Sequence, residues 1–376
     1  SIVREAIIEY ERQRLNNPYL ANPSSLKRYL NEIKRELKKT DMNTDSVHDA
    51  FGLYFLLQDR EATLNLLQCY LTRPLPIVEQ AWARWNLVDT LALMRRCDEL
   101  VPTHKDFLEW AQRELEPDRL FWVMEDGTQA LGWFHGGHGA DWMKIFWELN
   151  HTIPISKHNR IHRFQHHRSA CYALSRYGQP EEALAIADRL LHISHEDPSW
   201  EYAFLVEMAA HTASVEAYAC LGDIENLRSI TENAYACIEQ YAISLPEPDS
   251  LGEIHPPLPE QLHPADCLGR YYTELPQREP VFSFRAVCHN LAAVLYRAKQ
   301  YGLAIPLFER AMEYKSLSRY LAHCYAGSVW MVTQDKEKTL AFLKKVAPIF
   351  GDKNQFWKDI PELEDLIHDS EFQRAL

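Results

Sequence analysis

The sequence lacks a long hydrophobic run, paired cysteines and an excess of basic residues, and each lack excludes a class of protein. No apolar stretch approaches the roughly 18 residues needed to cross a bilayer, and residues 1–14 are charged and amphipathic rather than signal-like, so we expect no membrane partner. The eight cysteines stand singly, which argues against a disulfide or zinc framework and favours reduced core thiols in the cytoplasm. A formal net charge of -13 argues against nucleic acid, because phosphate binding needs concentrated Lys and Arg; a neutral or basic protein suits the chain better.

Strand signals are nearly absent, whereas helical periodicity runs through the chain. In residues 24–39 the apolar positions recur at spacings of four, three and four, which places Leu26, Leu30, Ile33 and Leu37 on one helical face. Two helices that turn near residues 58–60 follow, and further helices are predicted at about 76–97 and 103–116. The sequence therefore predicts an all-α fold.

From residue 160 the helices form a repeat of two-helix units. Four stretches each combine a helix of small and aromatic residues, a turn and a second helix; they are residues 166–194, 213–241, 286–314 and 323–350. Gly178 and Gly222 stand at the first two turns. The equivalent positions Ala304 and Thr339 are 35 residues apart, which is the length of one helix hairpin.

These stretches resemble the tetratricopeptide repeat, in which small residues lie where two antiparallel helices cross closely. The third stretch matches best and carries the family's positions at Leu291, Ala292, Tyr301, Ala304, Phe308 and Ala311. The first keeps Ala183 but has Ala187 where an aromatic is usual, and Leu227 and Thr339 replace the small residue in the second and fourth. The resemblance implies a right-handed α-solenoid of antiparallel helix hairpins.

The end of the chain resembles the segment that closes many bacterial repeat arrays. The aromatic, proline and leucine positions of that segment are carried by Trp357, Pro361, Leu363, Leu366, Phe372 and Leu376. A terminal repeat needs such a cap because its outer apolar face has no neighbour.

Residues 241–280 interrupt the repeats. They hold eight of the 20 prolines and seven acidic against two basic residues, so a helix cannot run through them. Long excursions from compact arrays are usually functional or disordered, and the interleaved Leu, Ile and Tyr residues favour an ordered acidic arm packed along the solenoid.

These patterns divide the chain into six segments. We expect degenerate N-terminal hairpins at residues 1–120, followed by a connector rich in Gly, His and Trp at 121–159. Repeats one and two occupy 160–240, the proline-rich insert 241–280, and repeats three and four 281–350. The cap occupies 351–376.

The stretch LGWFHGGHGADW, residues 131–142, is the segment that most suggests chemistry. His135 and His138 lie three residues apart, and His162 and His166 follow at helical spacing. A zinc site needs three or four ligands, and the chain has no HExxH motif, no phosphate-binding glycine loop and no GxSxG nucleophile elbow. We therefore predict no cofactor and no tightly held metal, and keep the four histidines only as candidate ligands.

In the tetratricopeptide family the first helix of each pair lines a concave groove. The family register turns a set of polar and aromatic side chains towards that groove, namely Arg168, Tyr172, Arg176, Glu216, His289, Asn290 and Arg297. The chain lacks the Lys, Asn, Asn, Lys, Arg set with which some related arrays grip a C-terminal carboxylate. A mixed groove of this kind suits a protein or peptide segment.

Together these features predict a non-enzymatic helical repeat protein, an adaptor or regulator that binds another protein or peptide. Three alternatives stay open: an acidic immunity-type protein that blocks a basic toxin, a metal-dependent enzyme centred on the histidine-rich region, and a structural subunit of a larger assembly.

Overall fold

The computed structural model describes residues 1–18, 21–120, 123–124, 152–154, 160–176, 178–251, 280–347 and 360–375. Every regular element in these ranges is helical, which confirms the predicted all-α class. None of the helices found there combines the length and the apolar character that a bilayer span requires.

The first half of the chain contains α1 (Ile2–Asn16), α2 (Ser24–Lys27), α3 (Leu30–Lys39), α4 (Thr44–Leu56), α5 (Arg60–Leu71), α6 (Ile77–Leu93), α7 (Cys97–Glu114) and α8 (Arg160–Arg176). The second half contains α9 (Pro180–Glu196), α10 (Ala203–Leu221), α11 (Ile224–Ala242), α12 (Pro280–Arg297), α13 (Tyr301–Glu313), α14 (Arg319–Thr333), α15 (Lys336–Val346), α16 (Glu364–Ile367) and α17 (Ser370–Ala375). Short 3-10 turns lie at Pro117–Arg119, Pro248–Ser250 and Pro361–Leu363.

The chain divides into two compact units. A terminal unit comprises Ser1–Asp41, Ile238–Leu258 and Leu275–Leu376, and a central unit comprises Met42–Cys237 and Pro259–Glu274.

In the central unit, consecutive helices pack on one another from α4 to α7. Trp82 is fully buried there, and its ring meets those of Phe51 and Tyr70 edge-on at centroid distances of 5.1 and 6.4 Å. Farther along, α8 packs on α9, and α10 packs on both. Gly178 and Gly222 end α8 and α10 with backbone φ of 81° and 72°, a left-handed conformation that glycine adopts without steric cost.

The terminal unit repeats this packing. In it α12 packs on α13, and α14 packs on both, while α15 packs on α14. The turn Pro361–Leu363 also lies against α14, and α17 packs on α15 and α16. The cap positions Leu363, Leu366 and Phe372 are buried, as expected for residues that cover an apolar end.

Three predicted helix boundaries are wrong. The helix expected over 24–39 is broken into α2 and α3, and those expected at about 76–97 and 103–116 are Ile77–Leu93 and Cys97–Glu114. Between the last two, Arg95 adopts a left-handed φ of 55°, and the Arg96 N–H donates to the Leu91 carbonyl at 3.0 Å. Such helix ends usually carry glycine, so an arginine gave no signal.

The expectation of core thiols is correct for only some cysteines. Cys171, Cys288 and Cys324 are buried, whereas Cys69 and Cys220 are exposed, and no disulfide joins any of the described cysteines.

Candidate functional site

The histidine-rich stretch singled out in the sequence lies outside the described residues, which holds for both His135 and His138. His162 and His166 fall on α8, but their side chains also lie outside the described part. The prediction that these histidines hold no tight metal therefore stays a prediction.

Arg168, Tyr172 and Arg176 lie at spacings of four on α8, and the structure gives them different surroundings. Tyr172 is 1% exposed and belongs to the core, so its ring offers no surface to a partner. The prediction that Tyr172 contacts a partner is therefore wrong. Arg168 is half-buried, and its Nε has no hydrogen-bond partner within the described ranges.

Arg176 and Glu216 form an ion pair within the central unit. The Arg176 Nε donates to Glu216 Oε1 at 3.0 Å, and the two side chains are 15% and 9% exposed. A charge-assisted hydrogen bond strengthens where little water screens it. Removing one partner would leave the other charge largely buried and unpaired, which is destabilising. The main role of this pair is therefore to stabilise the fold rather than to contact a partner.

In the terminal unit, α12 carries the half-buried His289, Asn290 and Arg297. Arg297 Nη1 donates to the Tyr320 hydroxyl on α14 at 3.4 Å, and the His289 ring lies 6.1 Å from the Tyr320 ring, centroid to centroid. Tyr320 is 44% exposed, and the sequence analysis did not name it. Burial, and then the Arg297 charge, lower the pKa of His289 to about 4, so its ring is neutral at pH 7.

Glu362 of the C-terminal segment inserts between α12, α13 and α14. Its Oε2 accepts from the Tyr296 hydroxyl at 2.7 Å and its Oε1 from the Tyr301 hydroxyl at 3.3 Å. A Cβ at Gly327 would lie 2.7 Å from Glu362 Oε2, so glycine is what allows the carboxylate so close to α14. Burial and the bond to Glu362 raise the pKa of Tyr296 far above its usual value, which keeps its hydroxyl proton available to the carboxylate.

A cluster of metal-ligand side chains lies in the central unit. Glu207 and His211 lie one turn apart on α10, and Cys237 lies on α11. Their ligand atoms all lie within 4.8 Å of one another. His195, in the last turn of α9, also reaches Glu207, with its Nε2 3.4 Å from Oε1.

One carboxylate oxygen stands at the centre of this cluster. Glu207 Oε1 lies 3.4 Å from Cys237 Sγ and 3.9 Å from His211 Nε2, and the sulfur lies 3.9 Å from the same nitrogen. Burial, followed by the Glu207 charge, raises the pKa of Cys237 to about 11. Burial lowers the pKa of His211.

Sequence reasoning missed this cluster because it favoured histidines that lie close together in the chain. The only local signal was Glu207 followed by His211, four residues later on a helix. Cys237 lies on α11, the second helix of the same hairpin, and a single sequence does not display the packing that brings it to Glu207.

Compared with known proteins, the chain matches no family model and no curated protein. Membership of the tetratricopeptide family is therefore a prediction from the repeat pattern.

Proposed function

We propose that the chain is a non-enzymatic helical repeat protein of the tetratricopeptide type that binds another protein or peptide segment. The observation that carries this proposal is the burial of the small residues in the repeat pattern. Ala183, Ala304 and Ala311 are each 0% exposed. They stand where the family brings two helices close together, and side chains of this size allow such a close approach.

The packing order supports the same proposal. In each unit a helix contacts the next helix and the one after it, as α8 does with α9 and α10, and α12 with α13 and α14. This is the neighbour pattern of stacked antiparallel hairpins, in which every first helix lines one concave face.

The surface best suited to a partner in the terminal unit is formed by His289, Arg297 and Tyr320. Arginine and tyrosine dominate binding hot spots because they offer large contact area together with directed hydrogen bonds. The Tyr320 ring is 44% exposed and Arg297 reaches its hydroxyl, so a bound segment could contact both. In the central unit, Arg168 offers a half-buried guanidinium for the same purpose.

The acidic arm, residues 241–280, would add to this surface. Its beginning is held by the terminal unit, since the Tyr314 hydroxyl donates to the Pro246 carbonyl at 3.2 Å. Residues 252–279 lie outside the described part of the chain. The chain's formal net charge of -13 favours a basic partner. The second candidate function is therefore that of an immunity-type protein that neutralises a basic toxin.

The test is capture of partners on the full chain, identification by mass spectrometry, and titration calorimetry with the purified partner. We expect Arg297→Ala and Tyr320→Ala each to weaken binding by about 1 to 3 kcal/mol. Arg228→Ala, at an exposed position on α11, is the matched control and should leave the affinity unchanged. Arg176 is not a suitable test position, because its removal would unpair Glu216.

Unchanged affinity in both Arg297→Ala and Tyr320→Ala would exclude this surface. A captured basic protein whose toxic activity the chain abolishes would favour the immunity role over an adaptor role.

A further inference from the structure

We propose that Glu207, His211 and Cys237 form a binding site for a divalent transition-metal ion of the zinc class, with His195 as the fourth ligand. The site lies within the central unit and joins the end of α9 to α10 and α11. It shares no residue with the surface around Tyr320, which belongs to the terminal unit.

The distances fit a shared ion. Bonds of about 2.0 to 2.3 Å from zinc to nitrogen, oxygen and sulfur, arranged tetrahedrally, place neighbouring ligand atoms about 3.4 to 3.6 Å apart. The separations from Glu207 Oε1 are 3.4 Å to Cys237 Sγ, 3.4 Å to His195 Nε2 and 3.9 Å to His211 Nε2. Movements of a few tenths of an ångström would bring the ligand atoms of Glu207, His211 and Cys237 around one ion. His195, which reaches Glu207 only, would join them by a rotation of its exposed ring.

The distances from Glu207 to the two histidine nitrogens are long for ordinary hydrogen bonds, although 3.4 Å is a normal length for the bond from the Cys237 thiol. Charge-assisted bonds to a carboxylate are typically about 2.7 to 2.9 Å long. The Arg176–Glu216 contact in the same unit is 3.0 Å, so this fold does bring a carboxylate to its partner where hydrogen bonding is the purpose. Around Glu207, by contrast, the two histidine nitrogens stand farther away than such a bond requires, at 3.4 and 3.9 Å.

The helices hold the ligands in place. Glu207 and His211 lie one turn apart and therefore project from the same face of α10. Their neighbours Val206 and Ala210 are buried, as are Ala234 and Ile238 beside Cys237. The backbone at the ligands is thus fixed by core packing, which lowers the ordering cost of binding.

The ligand types select the ion. A thiolate and imidazoles suit zinc and its neighbours, whereas magnesium and calcium prefer sets made only of oxygen. His195 is 58% exposed, so its ring can turn from the carboxylate to the ion without displacing core atoms. Because the ligands come from three helices, a bound ion would fasten two successive hairpins and stabilise the folded chain.

The experiment uses the full chain, stripped of metal with a chelator and then titrated with Zn²⁺ or Co²⁺. We expect one zinc ion bound per chain, a rise in the melting temperature on zinc addition, and a thiolate-to-cobalt charge-transfer band with Co²⁺. Cys237→Ser should abolish that band. His211→Ala and Cys237→Ser should each weaken zinc binding at least about tenfold, since even residues that only support ligands are worth about that much.

Matched controls lie on the same helices. Cys220→Ser replaces an exposed cysteine of α10, and His192→Ala replaces a histidine of α9 that is 72% exposed. Both should bind zinc as the parent does. Should His211→Ala fail to fold, Glu207→Gln keeps the side-chain shape and should still lose binding.

The cobalt spectrum separates this site from the histidine-rich region, because residues 131–167 contain no cysteine. A cobalt complex without a thiolate band, or a zinc-induced rise in melting temperature that persists when His211→Ala and Cys237→Ser are combined, would overturn the proposal. An absence of stoichiometric zinc binding would do the same.

Discussion

Glu207 in the central unit and Glu362 in the terminal unit are both carboxylates that several side chains face, yet their surroundings differ in kind. Glu362 accepts two hydrogen bonds from tyrosine hydroxyls, one of them only 2.7 Å long. Glu207 faces two histidines and a cysteine, and no contact there is shorter than 3.4 Å. The short hydrogen bonds from tyrosine hydroxyls indicate a structural role for Glu362. The longer distances from Glu207 to side chains that commonly bind metals support the proposed ion site.

The largest expected effect is the loss of stability when the hydrogen bonds to Glu362 are removed. Glu362→Ala removes the acceptor of Tyr296 and Tyr301 and should lower the free energy of unfolding by about 3 kcal/mol, since bonds to a charged group are worth about 1.5 to 3 kcal/mol each. Glu207→Ala in the metal-free chain should cost less than about 1 kcal/mol, because its contacts are long and it is partly exposed. Urea unfolding of both variants measures the difference.

Glu364→Ala, at an exposed position two residues along, is the control for Glu362 and should stay within about 0.5 kcal/mol of the parent. Equal costs for Glu207→Ala and Glu362→Ala would remove the distinction between the two carboxylates.

A smaller effect is expected from Gly327, whose missing side chain makes room for Glu362. The added methyl group of Gly327→Ala would lie 2.7 Å from Glu362 Oε2, so the carboxylate must shift, at a cost of about 2 kcal/mol. When Glu362→Ala is added, much of that clash is already gone. The double variant should therefore lose about 1 kcal/mol less free energy of unfolding than the sum of the losses of the two single variants, a difference that a double-mutant cycle detects. Strict additivity would show that Gly327 serves another neighbour.

The sequence predicted those parts of the molecule that depend on local periodicity. Ala183, Ala304 and Thr339 are buried as the repeat pattern requires, and Gly178 ends its helix at the predicted turn. The end of α6 was placed about four residues too late because a non-glycine residue, Arg95, takes the left-handed conformation. Local preference for glycine is strong, but tertiary packing can override it.

The candidate sites were less predictable because they depend on residues that are distant in the sequence. Glu362 lies 66 residues from Tyr296, and Cys237 lies 30 residues from Glu207. Tyr172 shows the opposite error: its register on the helix was clear, but its burial depends on the neighbouring helices. Periodicity gives the face of a helix and leaves open what covers that face.

The smallest expected effect concerns a second pair of unlike groups, the buried histidines His104 and His211. The Nε2 of His104 donates to the Val123 carbonyl at 2.6 Å, a tight structural contact, whereas His211 stands 3.9 Å from its nearest carboxylate. Burial lowers the pKa of His104 to about 4, although the bond to Val123 acts in the opposite direction. Below about pH 6.5 the unfolded chain therefore binds a proton at His104 that the folded chain does not bind. The free energy of unfolding consequently decreases as the pH is lowered, down to about pH 4. Between pH 7 and pH 5.5 we expect His104 to account for a loss of about 1 kcal/mol, visible as a steeper decline in the parent than in His104→Asn. Should that variant fold poorly, histidine NMR of the parent provides the second measurement: a His104 ring that titrates near pH 6.5 in the folded chain would contradict the prediction.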